Sequence, residues 1–167
     1  MGLLGENGAG KTTLLSILYG MQKPTTGCAW ISGYSIKEEL HEVYKKIGVC
    51  PQFNLLWPDL TVYEHLLFYQ QLKGTDNETL EKERAIKTLR EVNLDSHAYK
   101  TVSQLSGGMK RRLSLAIALV GDPEVLFLDE PTTGLDPVNR MQLWKILEGV
   151  RHDKAIVLTT HHMEEAD

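Results

Sequence analysis

The chain has 167 residues, a length that fits one domain. Its composition, 42% hydrophobic and 24% charged with 14 Gly and 6 Pro, is that of a globular protein and excludes long disorder, collagen and coiled coil. Lys and Arg number 18 against 22 Asp and Glu, and the resulting net charge of -4 argues against a dedicated nucleic-acid binder.

In chain order, residues 1–4 read as the tail of an apolar strand and residues 11–19 as a helix with Leu14, Leu15 and Leu18 on its apolar side and Gly20 as C-cap. Residues 29–32 and 47–50 read as short strands bounded by Gly or Pro. From 54 to 105 the pattern is helical: Thr61-Val-Tyr-Glu64 is a capping box, and a second helix covers 79–92. A third starts after Ser106 and stops before Asp122-Pro123. Residues 125–128 and 155–159 return as buried strands around a helix at 141–149. This order predicts an α/β core with a mainly parallel sheet (1–53 and 107–167) interrupted by an all-helical insert (54–106). No apolar run reaches the roughly 18 residues of a membrane span, and no basic leader precedes Gly5. The chain is therefore expected to be soluble by itself, held at any membrane by a partner. Cys28 and Cys50 have no Cys-x-x-Cys spacing and read as small buried apolar residues in a reducing compartment.

Gly5-Glu-Asn-Gly-Ala-Gly10-Lys11-Thr12 fits G-x-x-x-x-G-K-[ST] between a strand and a helix, the setting of a P-loop. Its glycines let backbone N–H groups curl around phosphate oxygens, and the following helix offers unpaired N–H groups to the same anion. The candidate phosphate-binding set is Gly5, Asn7, Gly8, Ala9, Gly10, Lys11, Thr12 and Thr13. Lys11 is placed on the β- and γ-phosphates and the Thr12 hydroxyl on Mg²⁺. Val125-Leu-Phe-Leu ends in Asp129 and Glu130. A carboxylate at a strand tip suits a Mg²⁺ ligand (Asp129), and the next one suits a general base that polarises water (Glu130). Leu105-Ser106-Gly107-Gly108-Met109 opens a further helix, whose free N–H groups could serve a second anion.

The ordered set of P-loop, Gln52 after Cys50-Pro51, Leu105-Ser-Gly-Gly-Met109, Asp129-Glu130, Gly134-Leu-Asp136-Pro137 and Thr160-His161 resembles the nucleotide-binding domain of ATP-binding cassette (ABC) transporters. The resemblance covers essentially the whole chain. It implies a RecA-like P-loop NTPase core plus a helical signature subdomain, with ATP and Mg²⁺ as ligands. It also implies that Gln52 touches Mg²⁺ or the water, that His161 contacts the γ-phosphate, and that Asp136 lies at a dimer seam. Ser106, Gly107 and Gly108 would bind the ATP of the opposite copy in a head-to-tail pair. Transmembrane domains of the same transporter are the implied second partner, which would place the domain on the cytosolic face of a membrane; no nucleic-acid partner is expected.

Residues 48–54, 60–65 and 68–74 resemble the A subfamily, eukaryotic exporters that mostly move lipids and sterols. The family also has an upstream adenine-stacking aromatic residue and further strands, so the chain is expected to be a domain truncated at both ends, poorly soluble and weakly active alone. Alternatives are a soluble ribosome-associated ABC ATPase and a regulatory cassette with little hydrolysis. The DNA-repair type needs a long coiled coil, for which the interval from Gln52 to Ser106 is too short.

Elsewhere the expectations are ordinary. His41, His65, His97 and His152 read as surface or satisfied core histidines, His162 as pointing away from the site, and Lys110-Arg-Arg112 as a solvated helical turn. The apolar run from Phe53 to Trp57 reads either as insert core or as a groove for a partner helix.

Overall fold

The computed structural model describes residues 1–6, 8–74 and 77–161. Strand β1 (Gly2–Leu4) leads into helix α1 (Lys11–Leu18); β2 (Trp30–Ile31) and β3 (Tyr34–Ser35) form an antiparallel hairpin before α2 (Leu40–Lys46) and β4 (Ile47–Cys50). The helical insert contains α3 (Val62–Leu72) and α4 (Glu78–Glu91). Helix α5 (Gly107–Leu119), β5 (Val125–Asp129), α6 (Pro137–Val150) and β6 (Ala155–Thr160) follow. The hairpin and α2 lie where sequence patterning names no element beyond 29–32. Both are short, and α2 buries only Val43.

The main sheet has the order β1-β6-β5-β4, with every neighbouring pair parallel. Leu4 pairs with Thr160, Asp129 with Thr159, and Cys50 with Leu128. Strands that run the same way end together, so the residues after β1, β4, β5 and β6 emerge along one rim, where open α/β sheets take their ligands. Every candidate before Ser106, together with Asp129, Glu130 and His161, follows or ends one of these strands.

Both faces of β5 are covered, as its unbroken apolar run requires. Phe127 joins Leu15, Ile31, Ile36, Val43 and Ile47 on one side. Leu126 and Leu128 point the other way, into a cluster with Leu113, Leu115, Leu143 and Leu147. That second cluster runs without a break into the insert, through Val62, Leu66, Ala85, Leu89 and Leu94. The insert is therefore fastened to the core through α5. Cys50 is buried, and burial pushes its thiol pKa up, whereas Cys28 is exposed, contrary to expectation. Its neighbours 20–28 are turns and extended chain that no element covers.

Two capping boxes fix the ends of the insert. Thr61 and Glu64 exchange hydrogen bonds at the start of α3, and Thr101 and Gln104 do so at the turn Val102–Gln104. Between them His65 is fully buried. Its Nε2 accepts the Trp57 N–H at 3.0 Å, and its Nδ1 donates to the Thr61 carbonyl at 2.8 Å. This arrangement requires the neutral ring, and burial holds the His65 pKa below its ordinary value. The sign follows directly. The unfolded chain takes up this proton first, so the stabilisation is complete above about pH 6.5 and declines as pH falls from there toward the folded value. Replacing His65 with Leu is expected to flatten the acid side of the melting profile. It should also cost about 1–2 kcal/mol at neutral pH by leaving the Trp57 N–H unpaired; thermal melts across that pH range check both.

Candidate functional site

The loop after β1 is shaped by backbone that only glycine adopts cheaply: Gly8 and Gly10 have φ of 84° and 91°. Gly10 is the N-cap of α1 and lacks a capping side chain, which leaves the first N–H groups of that helix to an external acceptor. Asn7 lies outside the described residues, as does His162. Lys11 is 9% exposed at its side chain. Its Nζ donates to the carbonyls of Gly5 at 2.7 Å and Glu6 at 3.1 Å, and sits 3.7 Å from Glu130 Oε1. Ala9, Thr12 and Thr13 are exposed around the same turn.

Opposite this loop stands the end of β5. Asp129 is buried, and its Oδ1 accepts hydroxyl hydrogens from Thr12 at 3.2 Å and Thr159 at 2.6 Å. The Thr159 oxygen in turn accepts the Glu130 N–H at 2.9 Å. Glu130 has φ of 44°, a left-handed conformation that costs a non-glycine residue of order 1 kcal/mol and persists only where its surroundings hold it. They do so on every side. Its Oε2 accepts from Gln52 Nε2 and from the Thr133 hydroxyl, both at 3.1 Å, and lies 3.8 Å from His161 Nδ1. Its carbonyl accepts from Arg111 Nη2 at 3.3 Å. The structure thus brings together Lys11, Thr12, Gln52, Asp129, Glu130 and His161, which come from the ends of four different strands.

Chemically, this is a basic group, a hard oxygen pair and a carboxylate on one rim. Thr12 Oγ1 and Asp129 Oδ1 are the donors suited to a small divalent cation. Among the described residues there is no cluster of three or more His, Cys, Asp or Glu able to hold a metal.

A second group stands apart from the first along the chain and is organised by α6. Ser106 caps α5 by accepting the Met109 N–H at 3.3 Å. Asp136 caps α6, accepting from the backbone N–H groups of Val138 at 3.0 Å and Asn139 at 3.1 Å and from the Asn139 side-chain amide. These bonds, the Asn139 amide first, hold the Asp136 carboxyl below its ordinary pKa. The Asn139 side chain fills the space a Cβ on Gly108 would take, with Oδ1 2.1 Å from that position. Gly108 is thus required by close packing. Ser106, Gly107 and Asp136 are exposed side by side with it. Their proximity comes from this packing contact, which spacing in the chain does not reveal.

Three further participants escape a reading of the sequence alone. Thr159 and Thr133 join through strand register and a turn. Arg111, expected in a solvated turn, is 4% exposed and spends its guanidinium on the loops around Gln52 and Glu130. The correction has a plain cause: α5 is buried from Arg111 onward on all but a few positions. Of the run after Gln52, Phe53 and Leu55 are 76% and 70% exposed, whereas Leu56 packs on the core and Trp57 rests on His65, Phe68 and Tyr69. Leu55 lines an apolar groove of about 480 Å³ with Tyr19, Met21, Tyr44 and Leu72.

The family model described as ABC transporter matches residues 1–133. ABC transporter A family member 3 of Arabidopsis thaliana is 49% identical over 172 residues, which cover 99% of this chain and 18% of that protein. A family member 7 of Dictyostelium discoideum is 48% identical over 100% of this chain and 20% of its own length. The chain therefore spans about a fifth of the length of these relatives. Its fold is similar to a solved dimeric post-hydrolysis state of the ATP-binding cassette MJ0796 bound to ADP and Pi, with a TM-score of 0.87 and 29% identity over 99% of this chain and 75% of that one. A second dimeric structure of MJ0796, a bacterial ABC transporter cassette, gives a TM-score of 0.86 with the same identity and coverage. The expected α/β P-loop fold is borne out, and the chain belongs to the ABC transporter family.

Proposed function

We propose that this domain binds ATP with Mg²⁺ and hydrolyses it to drive export of a lipid across a membrane. The observation that carries the hydrolytic part is the ring of groups around Glu130: Lys11, Gln52, Thr133 and His161 at its side chain, and Thr159 at its N–H. The export and lipid parts rest on similarity to A family transporters.

In this reading the Gly8 and Gly10 turn and the N-terminus of α1 hold the triphosphate, and Lys11 leaves its carbonyl partners for the β- and γ-phosphates. Thr12 and Asp129 hold Mg²⁺, with Gln52 as a further ligand or water contact. Held there, the cation would supply positive charge against the phosphate oxygens. Glu130 accepts a hydrogen bond from the attacking water at a carboxylate oxygen and takes its proton as the water oxygen bonds to the γ-phosphorus and the bond from that phosphorus to the β,γ-bridging oxygen breaks, releasing ADP and phosphate. Gln52 and His161 orient that water and the γ-phosphate.

Ser106, Gly107 and Gly108 would complete the site of a second copy arranged head to tail, with Asp136 at the seam. Support comes from the exposure of Ser106, Gly107 and Asp136 and from the dimeric state described for MJ0796. Transmembrane domains of the complete protein would dock on the groove beside Leu55 and so hold this domain at the cytosolic face. The exposure of Phe53 and Leu55 favours the groove over the insert core for that segment.

Three outcomes are expected in the complete protein. Glu130→Gln should slow ATP turnover by about 10²-fold or more while ATP stays bound; turnover at the parental rate in a phosphate-release assay would remove Glu130 from its role. Thr159→Val, close in shape but without the hydroxyl, should lower the rate about tenfold and raise the Mg²⁺ concentration needed for half of it, since a buried hydrogen bond to a charged group is worth roughly 1.5–3 kcal/mol. Leu55→Glu should abolish transport in a vesicle assay yet leave basal hydrolysis in place. Transport at the parental level would place the partner elsewhere.

A further inference from the structure

We infer that Arg111 and Asn54 form a clamp that holds the Gln52 segment against the Glu130 turn, making Arg111 a positioning residue for hydrolysis; the inference rests on the hydrolytic reading above. One buried guanidinium meets six oxygen acceptors. Its Nε donates to the Pro131 carbonyl at 2.7 Å, and Nη2 donates to those of Asp129 at 3.2 Å and Glu130 at 3.3 Å. On the other side, Nη1 donates to the carbonyls of Pro51 at 2.6 Å and Gln52 at 3.2 Å and to Asn54 Oδ1 at 3.3 Å.

Two features make this more than a filled cavity. First, the acceptors divide between the two chain segments that continue from the paired strands β4 and β5 beyond their last partners, Cys50 and Leu128, so the guanidinium ties the backbones carrying Gln52 and Glu130 together past the end of the ladder, beside their own side-chain bond. Its planar fork of five N–H donors reaches both segments at once, which the single ammonium of a lysine cannot do. Second, the clamp reaches the surface through Asn54. The Asn54 side chain also accepts the Ser114 hydroxyl at 2.9 Å, one turn further along α5, and stands between the exposed Phe53 and Leu55. Arg111 itself lies three positions after Gly108. The clamp thus joins three regions in one unit: the opening turn of α5, the apolar groove and the carboxylate turn. Arg111 touches backbone rather than reacting atoms, so it acts through Gln52 and Glu130.

The test is steady-state ATP hydrolysis by the complete protein. Arg111→Lys should lower kcat tenfold or more with KM for ATP within about twofold, because the P-loop is held by β1 and α1 rather than by the clamp. Should that variant fail to fold, the exposed Asn54 carries the test. Asn54→Ala should lower kcat several-fold at constant KM and melting temperature, and Asn54→Asp, which keeps an acceptor for both Arg111 and Ser114, should restore most of it. Amide exchange at residues 51–54 should quicken in Asn54→Ala and return in Asn54→Asp. Parental kcat and exchange in Asn54→Ala, or a kcat loss that Asp does not restore, would overturn the clamp. Absence of hydrolysis by the unaltered protein would instead overturn the reading on which it rests, and the exchange measurement would still judge the clamp.

Discussion

The Glu130 turn, at the end of β5, holds a carboxylate on the rim of the sheet by over-determination. Its backbone is in a conformation unfavourable for any side chain with a Cβ. Its N–H is held by a buried threonine, its carbonyl by a buried arginine, and its carboxylate by Gln52 and Thr133. None of these bonds is large alone, roughly 0.5–1.5 kcal/mol for neutral pairs and more where a charge is involved. Together they keep an uncommon backbone geometry populated at the end of β5. The parallel sheet supplies part of the framework, with Gln52 just past β4 and Thr159 within β6, while Arg111 comes from α5 and Thr133 from the same turn as Glu130.

The second group obeys different physics. Ser106, Gly108 and Asp136 depend on helix ends meeting: Asp136 orients Asn139, and the Asn139 amide occupies the volume that glycine leaves free. A methyl on Gly108 would displace that amide from Asp136 Oδ2, leaving Asp136 Oδ1 to cap α6 alone. The ends of α5 and α6 are thereby kept in register by one contact within the chain.

How far the chain can be read without coordinates depends on whether a signal is local. The P-loop, the capping box at Thr61 and the apolar run ending at Asp129 are local, and each stands where expected. Helix α6 begins four residues before the expected 141, because Asp136 caps it and Pro137 starts it. Non-local features escaped. The role of Thr159 is set by its pairing opposite Asp129 across β5 and β6. The burial of Arg111 is set by what α5 packs against, and a Lys-Arg-Arg run looks the same on a solvated helix. Cys28 was misplaced because a residue type's average tendency to be buried says nothing about a stretch that no element covers.

The unbroken apolar cluster from α3 and α4 through α5 to β5 has a consequence beyond packing. The insert and the strand that ends at Asp129 share one buried cluster, so a cavity opened in the one loosens packing in the other. A lesion deep in the insert, at Leu89 for instance, would therefore register as a shortage of protein in the cell, with the surviving molecules working at normal speed.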